Sequence, residues 1–177
     1  DFKNFRFQNL NEVIRVGMIG SISPKKGQIK LIELAKLFRG EKIMFYIIGN
    51  VSNNTSSNEY NKDLRKHIVL EKMTEKLIIK NFMPMEDAYK NLDIIINFCE
   101  IEAFGRTIIE SMAAKKIIIS VNRGAAAELI KDYKNGFIFE PNDIEKIYDI
   151  INKLRTSKTL YHKIAKIGYL SVEKKYT

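Results

Sequence analysis

The chain has 177 residues, 45% hydrophobic and 10% aromatic, which suits one globular domain with a real core and excludes a disordered polypeptide. Its 30 Lys and Arg against 21 Asp and Glu give a formal charge of +9, but the basic residues are scattered in short pairs such as Lys25-Lys26, Lys115-Lys116 and Lys174-Lys175, so no nucleic-acid partner is expected. The lone cysteine, Cys99, excludes an internal disulfide and fits a reducing, cytoplasmic compartment, and the longest apolar run, residues 43 to 48, is too short to span a bilayer.

The chain opens on Asp1 rather than methionine and shows no secretory signal, so a fragment of a longer protein is expected. Residues 13 to 19 read as a first strand, and Pro24 with Lys26-Gly27 opens a helix. Within it Leu31, Leu34, Ala35 and Phe38 recur at helical spacing, and Gly40 ends it. Residues 43 to 48 form a continuous apolar run closed by Gly49-Asn50, the pattern of a strand buried on both faces. Residues 51 to 58, rich in Ser, Asn and Thr, read as a flexible loop, and a charged helix follows over about 59 to 73.

A third strand is expected over 77 to 82, a short helix over 86 to 91 and a fourth strand over 93 to 98. A helix over 106 to 115, a fifth strand over 117 to 121 and a helix opened by Gly124 come next. Asn135-Gly136 makes a turn before a short strand over 137 to 139. Ile144, Ile147, Tyr148, Ile151 and Leu154 give a helical stripe after a cap at Asn142 or Asp143, and a last helix runs from about 160. Strands alternate with helices about six times, and several strands are apolar runs. This predicts an α/β fold, a Rossmann-like doubly wound parallel six-stranded sheet with helices on both faces, spanning residues 1 to 177 as a single domain.

Ligands of such sheets bind at the carboxyl ends of the strands, near the switch point. The informative loops all follow strands: residues 21 to 27, Gly49-Asn50, residues 99 to 105 and residues 122 to 124. The segment Glu102-Ala103-Phe104-Gly105-Arg106-Thr107-Ile108-Ile109-Glu110 follows the fourth strand and carries the most chemistry. A bend at Gly105 into a helix start aims free amides outward, where the helix dipole favours a phosphate. Glu110, one turn further on, can accept hydrogen bonds from the vicinal hydroxyls of a ribose. The bland alternative is a strand–helix loop with an Arg106/Glu110 surface pair, worth only a few tenths of a kcal/mol, which leaves Glu102 and Phe104-Gly105 unexplained.

Lys26, at the turn after the first strand, can reach a diphosphate as a mobile point charge; it is otherwise an exposed lysine in a first helical turn. Residues 124 to 128, Gly-Ala-Ala-Ala-Glu, either present amides to a sugar or pack helix against sheet. His67 and His162 lack partners at ligand spacing, so no metal is expected. A GxGxxG fingerprint and a P-loop are both missing, which counts against a nicotinamide dehydrogenase and a P-loop nucleotidase.

In order, these elements resemble the donor-binding domain of family 4 retaining glycosyltransferases, which have the GT-B fold. The matching residues are Gly20-Ser21-Ile22-Ser23-Pro24-Lys25-Lys26-Gly27, residues 45 to 50, the Glu-x7-Glu region from Glu102 to Ala113, Gly124 to Glu128, and Asn135-Gly136-Phe137. The resemblance implies a UDP- or GDP-linked sugar as the donor substrate, with no cofactor. Lys26 and Glu102 would act in catalysis, Lys26 on the diphosphate and Glu102 against the donor sugar. Glu110 would bind the ribose. Phe104, Gly105, Arg106 and Thr107 would hold the sugar and phosphates, Ser21 and Gly49 would line the site from the first two strands, and the backbone near Asn81 and Phe82 would select the base.

Four positions depart from the family pattern: Ser21 stands where an arginine is usual, Cys99 replaces a serine, Ala125 a second glycine and Asn81 a glycine. Lys25 and Arg106 are candidates to replace the missing charge. The resemblance also implies an amino-terminal acceptor-binding domain not contained in this chain, so the isolated domain would turn over little or nothing. A glycan or lipid-linked acceptor would bind through that domain, and the positive charge would suit peripheral contact with the inner face of a membrane. The competing readings are a sugar-nucleotide epimerase of the same fold and a non-catalytic basic module that binds nucleic acid or membrane; the second predicts a cationic stripe with interleaved aromatics, which is not seen.

Overall fold

The computed structural model describes residues 5–7, 13–101 and 104–176, with side chains to residue 173. Six strands form one parallel sheet: β1 (Ile14–Ile19), β2 (Ile43–Ile48), β3 (Leu77–Lys80), β4 (Ile94–Asn97), β5 (Ile117–Val121) and β6 (Phe137–Phe139), in the order β3-β2-β1-β4-β5-β6. The helices are α1 (Ile29–Leu37), α2 (Thr55–Leu70), α3 (Met85–Lys90), α4 (Arg106–Ala113), α5 (Ala125–Leu129), α6 (Ile144–Thr156) and α7 (Lys158–Tyr176).

The order of strands follows from their composition. All four residues of β4 and all five of β5 are buried, so the apolar runs lie centrally, covered on both faces. β3 ends in exposed Lys80 and forms one edge. One face is covered by α1, α2 and α6, whose Leu34, Leu64, Ile147 and Leu154 share a core cluster with the sheet. The other is covered by α3, α4 and α5 through Tyr89, Ile108, Met112 and Ala126. Helix α7 serves both: Tyr161 and Ile164 belong to the first cluster and Val172 to the second. Its Tyr161 hydroxyl donates to the Asp93 carbonyl at 3.0 Å, anchoring it beneath the amino end of β4. The chain runs from β1 outward to β3, then returns to the other side of β1 with β4, which puts the switch point between the carboxyl ends of β1 and β4.

Several boundaries depart from expectation for local reasons. The helix expected from Pro24 is divided into a 3-10 turn, Pro24–Lys26, and α1, because Gly27 adopts a left-handed conformation (φ 68°) between them. The polar segment 51 to 58 is not all loop. Helix α2 begins at Thr55, since the Asn54 side chain accepts the Ser57 amide at 2.8 Å as an N-cap and Ser57 is buried. The polar residues that signalled a loop are a cap and a first turn. Helix α4 stops at Ala113, and Lys115 takes positive φ. For α6 the cap is Asp143, whose carboxylate accepts the Lys146 amide at 3.1 Å. Helix α5 has only five residues, and α7 begins two residues before the expected start.

A charged pair lies at the sheet end away from the switch point. Asp93 and Lys116 precede β4 and β5 and are 1% and 2% exposed. The Asp93 carboxylate accepts the Arg15 amide at 2.8 Å. Burial pushes its pKa up and pushes Lys116 down to about 8, with their mutual attraction opposing both shifts. For Lys116 the folded value lies below the ordinary 10.5, so between those values the unfolded chain holds more protons and stability rises with pH. The expected result is a thermal midpoint that climbs from pH 8 to 10 relative to the Lys116→Met variant; a flat difference would show that Lys116 titrates normally.

Candidate functional site

A cavity opens at the carboxyl ends of β1, β2 and β3, beside the amino end of α4. It measures about 480 Å³, within the range of small-molecule sites. Ser21, Lys26, Gly49, Asn50, Phe82, Met83, Arg106, Thr107 and Glu110 are in its wall. Residues from four parts of the chain, from Ile19 to Glu110, therefore meet at the switch point.

The floor is backbone. The Gly20 amide donates to the Ile48 carbonyl at 3.0 Å, and β1 and β2 approach so closely that a Cβ on Gly49 would lie 1.9 Å from the Gly20 carbonyl oxygen. The Lys26 stem crosses over the same floor, its Cε 3.8 Å from where a Cβ on Gly20 would stand. The loop carrying Ser21 is held by Gln28, whose amide Nε2 donates to the Ser21 carbonyl at 2.8 Å. The β3 loop is tied to β2 by Asn50, whose Oδ1 accepts the Phe82 amide at 3.0 Å, while the Phe82 ring stays 68% exposed at the cavity's rim.

Helix α4 supplies the other wall. Gly105 precedes it at φ 64°, and a Cβ there would meet Leu129 Cδ1 at 2.5 Å and Ala125 Cβ at 3.0 Å, so only glycine permits this entry. Arg106 Nη2 stands 3.6 Å from Glu110 Oε1; the arginine side chain is 80% exposed and the glutamate 20%. Beneath them Tyr89 is fully buried, its phenol pushed well up by burial and further by the nearby Glu110 carboxylate. It stays protonated at any physiological pH, and its buried hydroxyl has no hydrogen-bond partner among the described residues. Inside the sheet Asn97 donates to Ser120 Oγ and accepts the Cys99 amide, both at 3.1 Å, which orients the loop leaving β4. Lys30 pairs with Glu100 of that loop at 3.1 Å.

The structure thus brings together seven of the expected residues: Ser21, Lys26, Gly49, Phe82, Arg106, Thr107 and Glu110. Asn81, Phe104 and Gly105 are not in the cavity wall; Asn81 is exposed on the β3 loop and Phe104 is 82% exposed. Glu102, expected against a donor sugar, lies outside the described residues, as does Ala103. Among the described residues there is no group of three or more His, Cys, Asp or Glu suited to a metal ion, and no helix long and apolar enough to cross a membrane.

The model of the glycosyl transferases group 1 family matches residues 1–171. The chain belongs to that family. It is 26% identical over 170 residues to the capsular polysaccharide biosynthesis glycosyltransferase CapM of Staphylococcus aureus, covering 95% of this chain and 43% of CapM. Among solved structures it resembles the carboxyl-terminal domain of the glycosyl transferase group 1 family protein LpcC from Francisella tularensis, with a TM-score of 0.82, 28% identity, and 93% and 86% of the two chains covered. The Anabaena protein HepE, solved in complex with UDP-glucose, shares the fold at a TM-score of 0.86 and 22% identity, covering 93% of this chain and 45% of HepE. The chain spans less than half the length of the curated relatives it matches. The Rossmann-like parallel sheet of this group 1 glycosyltransferase chain is thus that of a GT-B carboxyl-terminal domain.

Two contacts beside this cavity escape sequence reasoning. Asn50 is expected in a loop on the ligand edge, but its bond to the Phe82 amide, 32 positions away, is not. Tyr89 sits in a short charged helix that offers no local sign of a buried phenol next to Glu110. Glu128, the carboxylate of the Gly124 segment, lies elsewhere, in a separate cavity with Lys131, Lys134 and Asn135.

Proposed function

We propose that this chain is the donor-binding domain of a retaining glycosyltransferase that transfers a sugar from a UDP- or GDP-sugar to a glycan or lipid-linked acceptor. The observation that carries the reading is the single cavity at the switch point that has Lys26, Arg106 and Glu110 in one wall system over a backbone floor. Glu110 accepts hydrogen bonds from the ribose hydroxyls, with the protonated Tyr89 phenol close to that carboxylate. Lys26 and the first amides of α4 face the diphosphate. As the bond to the anomeric carbon breaks, negative charge grows on the departing diphosphate, and preorganised donors at that point lower the barrier. Glu102, outside the described residues, is assigned to the donor sugar by the family resemblance alone. The backbone of the β3 loop, clamped by Asn50, selects the base. HepE, of the same fold, was solved with UDP-glucose, which supports a nucleotide sugar as the ligand.

The acceptor binds through an amino-terminal domain outside this chain, so the chain alone binds donor without rapid turnover. No cofactor or metal is required in this scheme. The charge of +9 suits peripheral contact of the whole protein with the cytoplasmic face of an anionic membrane. Isothermal titration of the chain with UDP-glucose, UDP-N-acetylglucosamine and GDP-mannose should give saturable heat with at least one. Absence of binding by all three, and by UDP and GDP, would defeat the donor reading.

A further inference from the structure

We propose that Arg106 is a second cation for the donor diphosphate, held in the free chain by Glu110 and released to the phosphates when ribose takes that carboxylate. The inference rests on the donor reading and adds to it a coupling between two parts of one ligand.

Among the described residues of the cavity wall the charged side chains are Lys26, Arg106 and Glu110. A diphosphate carries more negative charge than one lysine balances, and Ser21, on the β1 side, offers only a hydroxyl. Arg106 enters the same space from the opposite wall.

Among the described residues, little favours an arginine at this position. It is the first residue of α4, where the helix dipole disfavours a cation. Its pairing with Glu110 puts the base on the amino-terminal side of the acid, the weaker orientation. The contact is a single approach of 3.6 Å by a side chain that is 80% exposed, so it adds little to stability. A bound diphosphate reverses these signs. It is attracted by the amino end of α4 and by the guanidinium together, and it offers oxygens for paired N–H donors.

The exchange follows from Glu110. Its carboxylate faces the cavity and already holds Arg106 at the edge of hydrogen-bonding range. Ribose hydroxyls that donate to those oxygens weaken their hold on the guanidinium. Arg106 is then free to turn toward the phosphates without any backbone change. Lys26 faces the ligand from the β1 side, so the diphosphate is clamped between two walls.

The test is titration of the wild-type chain and the Arg106→Ala and Arg106→Lys variants with a nucleoside and its diphosphate, uridine with UDP and guanosine with GDP. Arg106→Ala should weaken the preferred diphosphate by about tenfold or more, while nucleoside affinity stays the same or improves, because Arg106 no longer competes for Glu110. Arg106→Lys should fall between. An unchanged ratio of diphosphate to nucleoside affinity in Arg106→Ala overturns the inference alone. Equal weakening of both ligands also overturns it, since that is the mark of a structural role. If the wild-type chain binds neither UDP nor GDP, the donor reading fails and this inference with it.

Discussion

Glu110→Gln should lower the affinity of the preferred nucleotide diphosphate by about 100-fold, the cost of two hydrogen bonds to a charged acceptor at roughly 1.5 kcal/mol each. The substitution keeps the shape of the side chain and removes its charge. Glu110 is one-fifth exposed on the cavity side of α4, with Tyr89 beneath it, so the amide neither opens a void nor strains the helix. The comparison is Glu128→Ala. That carboxylate is exposed and lines the separate cavity beside α5 and α7, so nucleotide affinity should stay within about twofold of wild type. Titration calorimetry on both variants decides the matter: similar losses from the two would end the ribose assignment.

Gly49→Ala should destabilise the fold by more than about 4 kcal/mol, enough to leave much of the chain unfolded at 37 °C. A Cβ there would lie 1.9 Å from the Gly20 carbonyl oxygen and 2.7 Å from its carbon, and both are main chain. No rotamer change relieves such a contact. Separating the strands would break the bonds that hold this edge, Gly20 amide to Ile48 carbonyl and Gly49 amide to Lys80 carbonyl, each 3.0 Å. Gly40→Ala serves as the control, since nothing stands within 4 Å of the added atom and its φ is ordinary. Urea denaturation followed by circular dichroism should show a large loss for the first variant and little change for the second. Comparable midpoints would mean that the two strand ends can part at little cost. Because the same approach forms the cavity floor, a partly folded Gly49→Ala chain should also lose nucleotide binding.

The elements of this fold were legible where hydrophobic periodicity and burial agree. Strands β4 and β5 read as apolar runs because they are covered on both faces, and the stripe of α6 reads directly because Ile147, Ile151 and Leu154 all face the sheet. The reading failed at residues 51 to 58, where composition speaks of loop but one side chain, Asn54, converts the segment into a capped helix. It also failed at Gly27, where a single left-handed residue divides one expected helix from a 3-10 turn. In the site, the charged residues were legible because each lies just past a strand or opens a helix. The contacts of the neutral ones were not. Asn50 bonds the Phe82 amide 32 positions away, and Tyr89 lies near Glu110 of another helix, and neither residue type carries a mark of that contact.

The sequence by itself determined the class of fold, the order of its elements and the family, because periodicity and short motifs are local and survive without knowledge of contacts. It also pointed to Lys26, Arg106 and Glu110 as groups with chemistry to perform. Only the tertiary structure decided that these three share one cavity, that Glu128 does not, and that Arg106 is paired with Glu110 while facing the same space as Lys26. The physical reason is the parallel topology. Each crossover returns the chain to the same edge of the sheet, so residues far apart in sequence converge there. Which of them meet depends on strand order and on the close approach of β1 and β2 at Gly20 and Gly49, and no stretch of sequence contains that information.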